Sequence, residues 1–197
     1  MTLLAKRTPK VLIHIKAVSG LRREQSADAT TRSTGAMAGL AESLLQHHRY
    51  CDRFFASATA AAAASDWETF ARQLATLEDA LERHIAFEEG ELFPAFEQAS
   101  GLRQGPTEVM RAEHAEMREL LAALGAAQPR LDPEGCCAEL EHLRVLLQEH
   151  NVKEEAVLYP ACDQMLGART DLLAGAQALN DRAGAPDREC ARGVLRP

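Results

Sequence analysis

Residues 81–98 read LERHIAFEEGELFPAFEQ, and residues 147–164 read LQEHNVKEEAVLYPACDQ. At a shift of 66 the two stretches align without a gap. Leu, His, the Glu-Glu pair, Leu, Pro, Ala and Gln all match, and Phe93 falls on Tyr159. The same shift carries His48 onto His114. Each half therefore supplies one His and, 36 residues later, a His-x-x-x-Glu-Glu. Such a duplication predicts two related helix pairs about a pseudo-two-fold axis.

Working outward, the apolar positions around these stretches recur three and four apart, the spacing of one helix face. Met37, Ala41, Leu44, His48, Cys51 and Phe55 mark a first helix. Phe70, Leu74, Leu77, Leu81, His84, Glu88 and Leu92 mark a second; Met110, His114, Met117, Leu121 and Leu124 a third; Leu140, Leu143, Leu147, His150, Glu154 and Val157 a fourth. Ser65-Asp66, Gly105-Pro106, Gly125 and Asp132-Pro133 punctuate them. Pro94 and Pro160 are expected to end or kink the second and fourth helices. The connections are short enough for antiparallel neighbours. The expected fold is thus all-α, an antiparallel up-down four-helix bundle, with an extra short C-terminal helix at residues 170–180.

The chain has 197 residues, 46% hydrophobic and 26% charged, a balance ordinary for one soluble domain with short extensions. Only 5% is aromatic, and Ala and Leu, both helix formers, supply most of the apolar content. Charge divides it in three. Residues 1–35 carry +5 and one short apolar run, Val11–Ile15, and read as a basic, loosely ordered extension. Residues 36–165 carry -13 and hold the bundle; residues 166–197 carry +1 and hold the extra helix and a tail. A net charge of -7 disfavours a nucleic-acid partner. No apolar run approaches the ~20 residues of a membrane span. Five cysteines without a CxxC pair, and no secretory leader before them, point to a reducing, cytoplasmic setting.

The repeat also carries the chemistry. Positions i and i+4 share a helix face, so His84 projects with Glu88 and His150 with Glu154. His48 and His114 sit on the core faces of the other two helices. Four imidazoles and two carboxylates then converge inside the bundle. Burying two carboxylates together without compensation is costly. A cation cluster removes that cost, and imidazole and carboxylate donors suit first-row metals such as iron. Six ligands are too many for one tetrahedral zinc with an open position. They suit two metals with room for a bridging oxygen species and an exogenous ligand. A single His on an apolar face is usually a satisfied core residue. Four at repeat-related positions, two with Glu at i+4, are not explained that way.

The His-x-x-x-Glu-Glu…Leu-Phe-Pro and Glu-His-x-x-Met patterns resemble the hemerythrin-like (HHE cation-binding) family over about residues 38–165. The resemblance implies a non-haem di-iron site, two iron ions with an oxo or hydroxo bridge, in an antiparallel four-helix bundle. It implies His48, His84, His114 and His150 as iron ligands and Glu88 and Glu154 as bridging carboxylates. The chain departs from the oxygen-carrying members. Where they have a second His four residues after the third-helix His, this chain has Arg118. Where they use a carboxylate five residues after the last His, it has Glu155, ~140° round a regular helix from His150 against ~40° for Glu154. Glu154 is therefore the expected ligand, and simple reversible oxygen carriage is disfavoured.

Around the expected site, Asp52 and Arg118 occupy repeat-equivalent positions and are a candidate ion pair near the metals. Cys51 reads as a small core residue beside the cavity. His47 falls one position off the core face and reads as a seam residue rather than a substitute ligand for His48. His142 reads as surface. Cys136 and Cys137 adjoin at a helix start, where neighbouring thiols rarely pair. Glu89 and Glu155 lie on the flank, placed either to hydrogen-bond ligands or to solvate the helix. Tyr50 and Tyr159 are candidate phenols for iron, neither squarely on the ligand face. The expected function is binding of a small diatomic ligand, dioxygen or nitric oxide, or a part in iron or oxidative-stress response. A di-iron redox enzyme that reduces peroxide or nitric oxide, or repairs iron–sulfur clusters, is the alternative. A metal-free helical interaction protein is the third reading.

Overall fold

The computed structural model describes residues 39–102, 104–127 and 133–183. The basic extension at residues 1–35, with Met37 of the first stripe and the terminal tail, lies outside the described residues. Every regular element among them is helical: α1 (Leu40–Ala63), α2 (Trp67–Phe87), α3 (Phe93–Ser100), α4 (Pro106–Ala127), α5 (Pro133–Lys153), α6 (Tyr159–Leu166) and α7 (Thr170–Ala183). None is long and apolar enough to cross a membrane.

Local chemistry sets most of the ends. Ser65, at φ 57°, reverses the chain after α1, and the Asp66 carboxylate accepts from the Thr69 N–H at 3.1 Å to cap α2. Gly101, at φ 73°, closes α3 in the left-handed region that glycine enters without penalty. Pro106 and Pro133 stand at the first positions of α4 and α5, where a missing N–H costs nothing. Gly125 does not end α4, which continues to Ala127.

Pro94 and Pro160 do not end their rods. Between α2 and α3, and again between α5 and α6, lies one wide π turn, Glu88–Leu92 and Glu154–Leu158. In each, the residue before the proline, Phe93 or Tyr159, donates its N–H to the carbonyl five residues back, on Glu88 or Glu154. Each proline then falls in the first turn of the next helix, where no donor is needed. Both wide turns begin at an expected ligand, in keeping with the frequent use of π turns at functional sites.

α1 packs on α2 and α5, and α4 on α2 and α5. α3 lies against α6, and α7 runs along α1. Two ties fasten the last helices to α1: Asn180 Nδ2 donates to Ser43 O at 2.8 Å, and the Ala41 N–H donates to Asp163 Oδ1 at 3.1 Å. The apolar interior falls into two clusters. One gathers Phe70, Leu74, Leu77, Met117, Leu121, Leu140 and Leu143. The other gathers Leu44, Phe87, Leu92, Phe93, Leu158, Tyr159 and the α7 stripe Leu172, Ala176 and Leu179. Along α2 and its continuation, His84 and Glu88 lie between Leu81 of the first cluster and Leu92 of the second. The buried polar residues thus form a layer between two greasy ones.

Candidate metal centre

The structure brings all six expected residues together. His48 comes from α1, His84 from α2, His114 from α4 and His150 from α5; Glu88 and Glu154 open the two π turns. All six are buried, the carboxylates completely. They form two donor sets: Glu88, His114, His150 and Glu154 in one, His48, His84 and Glu154 in the other. Within each set the donor atoms lie within 4.8 Å of one another, and Glu154 belongs to both.

Carboxylates on neighbouring helices orient three of the imidazoles. His48 Nδ1 donates to Glu155 Oε1 at 2.9 Å, His114 Nδ1 to Glu89 Oε1 at 2.9 Å, and His150 Nδ1 to Glu113 Oε2 at 3.0 Å. Lys153 and Arg118 hold two of these carboxylates, Glu113 and Glu89, in turn. A neutral imidazole that donates from Nδ1 presents its Nε2 lone pair at the other edge. That edge faces inward: His48 Nε2 lies 3.1 Å from His84 Nε2, and His114 Nε2 lies 3.2 Å from His150 Nε2. This is how metal-binding histidines are normally held.

Two lone pairs cannot face each other at that distance, so without a cation each histidine pair must share a proton. The electrostatics follow. Burial opposes charge on His48, yet its bonds to Glu154 and Glu155 raise it to about 9. Burial likewise opposes charge on His150, and the carboxylate of Glu113 that it hydrogen-bonds, with that of Glu154 close beside it, raises it to about 9. Burial, then His48, pushes His84 well below its ordinary range; burial, then His150, lowers His114 to about 4. The carboxylates split as well. Burial, then Glu154, drives Glu88 well above the usual carboxylate range. Burial would raise Glu154 too, but His150 and His48 outweigh it and hold it well below that range.

The donor set also fits a metal by what it leaves unmatched. Among the described residues Glu88 Oε2 and Glu154 Oε1 are buried with no hydrogen-bond partner. Orphaned buried acceptors are rare because each forfeits its hydration. Both sit beside imidazole nitrogens, Glu88 Oε2 at 3.4 Å from His114 Nε2 and Glu154 Oε1 at 3.2 Å from His150 Nε2. A cation between such atoms satisfies carboxylate and imidazole together. The chemistry this arrangement supports is nitrogen–oxygen coordination of a metal cation.

Comparison with known proteins agrees with this geometry. The profile of the Hemerythrin HHE cation binding domain matches residues 39–162. The chain belongs to the hemerythrin family. A curated relative, "Iron-sulfur cluster repair protein YtfE" of Edwardsiella ictaluri (strain 93-146), is 35% identical over 99 residues, 46% of this chain. That match spans 45% of the relative's own length. No solved structure matches.

Three expectations around the core of this hemerythrin-family site need correction or sharpening. Arg118 does not turn to Asp52. It forks onto Glu82, at 2.8 and 2.9 Å, and reaches Glu89, so it braces the partner of His114. Asp52 is exposed; partial burial raises its carboxyl, and His48 lowers it more than Glu155 raises it. His47 is not at a seam but fully buried, stacked on His84 with ring centres 5.1 Å apart and planes 3° off parallel. It occupies the repeat position of Glu113, so His84 is the one imidazole of the four whose Nδ1 has no partner among the described residues. Tyr159, expected off the ligand face, lies in the middle of the site. A wide turn of five residues brings it back to the side of Glu154, where a regular helix would carry it ~140° away. Burial, then Glu154 and Glu88, raises its phenol well above the ordinary range.

Other residues fall as expected. Glu89 and Glu155 do hydrogen-bond the histidines. Cys51 is buried in the apolar core, its thiol pushed up to about 12 chiefly by burial. His142 is exposed, and Cys136 and Cys137 are unpaired. Glu113 opens the Glu-His-x-x-Met pattern but carried no role of its own in the sequence. Its only signal is its place directly before His114. Beside the donors lies a cavity of about 20 Å³ whose wall includes His48, His84, His150, Cys51, Asp52 and Met117. That is room for one water-sized molecule.

Proposed function

We propose that this protein is a cytoplasmic non-haem di-iron protein, built as an antiparallel up-down four-helix bundle, that binds a small diatomic ligand at the cluster. One observation carries the reading: two buried donor sets share Glu154 and adjoin a cavity that admits only a very small molecule. His114 and His150, with Glu88, would hold one iron; His48 and His84 would hold the other, with Glu154 between them. Iron would supply a redox-active centre for dioxygen or nitric oxide. The chain's part is to fix the imidazoles through Glu89, Glu113 and Glu155, to keep bulk water out with the two apolar clusters, and to admit the ligand past His48 and Met117. No nucleic-acid or membrane partner belongs to this reading, and the cytoplasmic setting rests on the cysteine pattern.

The test is metal analysis with optical spectra, first under argon and then in air. The expected result is one iron for each donor set and a charge-transfer band that develops in air. A correctly folded chain that takes up no iron overturns the reading.

A second reading has one observation in its favour, the relative named as an iron–sulfur cluster repair protein. Under it the same site acts in redox turnover or cluster repair. Steady turnover with peroxide or nitric oxide, lost in Glu88→Ala, selects that reading. A tight ligand complex without turnover selects the first.

A further inference from the structure

The phenol of Tyr159 is surrounded by four candidate ligand atoms. Its oxygen lies 3.1 Å from His48 Nε2, 3.1 Å from His84 Nε2, 2.8 Å from Glu88 Oε1 and 2.9 Å from Glu154 Oε2. Tyr159 is fully buried. A phenol has one hydrogen to donate and can satisfy one of the two carboxylates at a time. Two imidazole nitrogens and two carboxylate oxygens converging on one oxygen are more than a hydrogen-bonding phenol needs. They are the neighbours of a metal-bound oxygen donor.

The repeat isolates what is special here. The equivalent residue in the other half is Phe93, whose ring stacks on His114 with centres 5.8 Å apart and offers no donor. The two donor sets are unequal in the same sense. Glu88 Oε2 lies 3.4 Å from His114 Nε2 and 3.5 Å from His84 Nε2; with it the set at His114 and His150 holds four residues, whereas the set at His48 and His84 holds three. The extra oxygen occurs at the poorer set, and the wide turn after Glu154 delivers it there. We propose that Tyr159 is a direct phenolate ligand to the metal held by His48, His84 and Glu154, which makes the two metal positions chemically unequal. The inference rests on the two-metal reading above.

In binding, the Tyr159 O–H bond breaks, the oxygen keeps the electron pair and forms the bond to the metal, and the proton leaves to solvent. No oxidant is consumed. An anionic oxygen at one position stabilises the more highly charged metal there by simple attraction. The position at His48 and His84 is therefore the more readily ferric of the two.

The experiment uses the full chain loaded with ferrous iron under argon and then oxidised in air. Iron per chain is counted, and resonance Raman spectra are taken in the visible band. The expected result is a phenolate-to-iron charge-transfer band with enhanced tyrosine ring modes. Those modes shift in protein grown with ring-deuterated tyrosine, persist in Tyr50→Phe and vanish in Tyr159→Phe. Phenylalanine is what the other half carries at this position, so the Tyr159→Phe ring fits. The isotope shift in the wild-type chain tests the assignment of the band to tyrosine without any substitution. Iron in both positions without tyrosine modes, or modes that survive Tyr159→Phe, overturns the ligand assignment and leaves the two-metal reading standing. Failure to bind iron at all overturns both.

Discussion

Replacing Glu113 with alanine removes the acceptor that holds His150 Nδ1–H at 3.0 Å, and strips Lys153 of its partner. His150 then loses both its preferred tautomer and its orientation. Removing such an outer partner typically weakens metal binding about 10–100-fold, or ~1.4–2.7 kcal/mol. The structure ranks the three equivalent residues. The side chain of Glu113 is 17% exposed, that of Glu89 27% and that of Glu155 39%. The more exposed the carboxylate, the better water replaces it. Glu113→Ala is therefore expected near the upper end of the range and Glu155→Ala near the lower. Glu113→Gln keeps an oxygen for the Nδ1–H but loses the charge, and should fall between Glu113→Ala and the wild-type chain. Competition against a chelator of known affinity measures each step. Equal affinity in all variants, or Glu155→Ala weaker than Glu113→Ala, would refute the view that these carboxylates act by orienting imidazoles.

Four further outcomes follow from the same structure. Chelation should lower the melting temperature, since a metal at about 100 times its Kd adds ~2.7 kcal/mol to the native state alone; an unchanged melt of the stripped chain contradicts a native-state site. Leu77→Ala, at a position with no exposure in the core of the first apolar cluster, should cost about 2–5 kcal/mol by chemical denaturation, and a cost below that of an ordinary surface change would mean the cluster is not packed there. Gly175→Ala puts a Cβ 2.5 Å from Phe87 Cε2, so overpacking should cost ~1–3 kcal/mol; a neutral result would show that α7 is not seated on Phe87. His47 is lowered by burial, then by His48 and Arg83, to about 4 against an ordinary 6.5. The folded chain therefore binds fewer protons than the unfolded one in that window, and the metal-free protein should lose ~1.4 kcal/mol per pH unit from this residue as pH falls from 6.5 towards 4. The slope should be shallower in His47→Gln, and an identical slope rules His47 out as its source.

The six candidate ligands could be picked out of the amino-acid order because helix spacing and the repeat are both written there. His84 with Glu88, and His150 with Glu154, share a helix face by spacing alone. His48 and His114 follow from the repeat. The caps at Asp66, Pro106 and Pro133 are local too, and each stands where a helix begins. The continuation of the helices past Pro94 and Pro160 has a different origin. A proline normally breaks a helix, but here the wide turn before it removes the demand for a donor, and nothing in the local composition announces that turn.

What lay beyond the linear pattern is the set of relations between helices. Glu113 on α4 meets His150 on α5, and Arg118 leaves its repeat mate Asp52 for Glu82 and Glu89, because the relative rotation of neighbouring rods decides which side chains come within reach. Periodicity specifies a face on one helix and is silent about that rotation. Tyr159 is the sharpest case. Its residue type was visible from the start, but its position at the centre depends on one widened turn and on α1 and α2 converging against it. Donor identity was thus a property of the chain, and donor geometry a property of its packing.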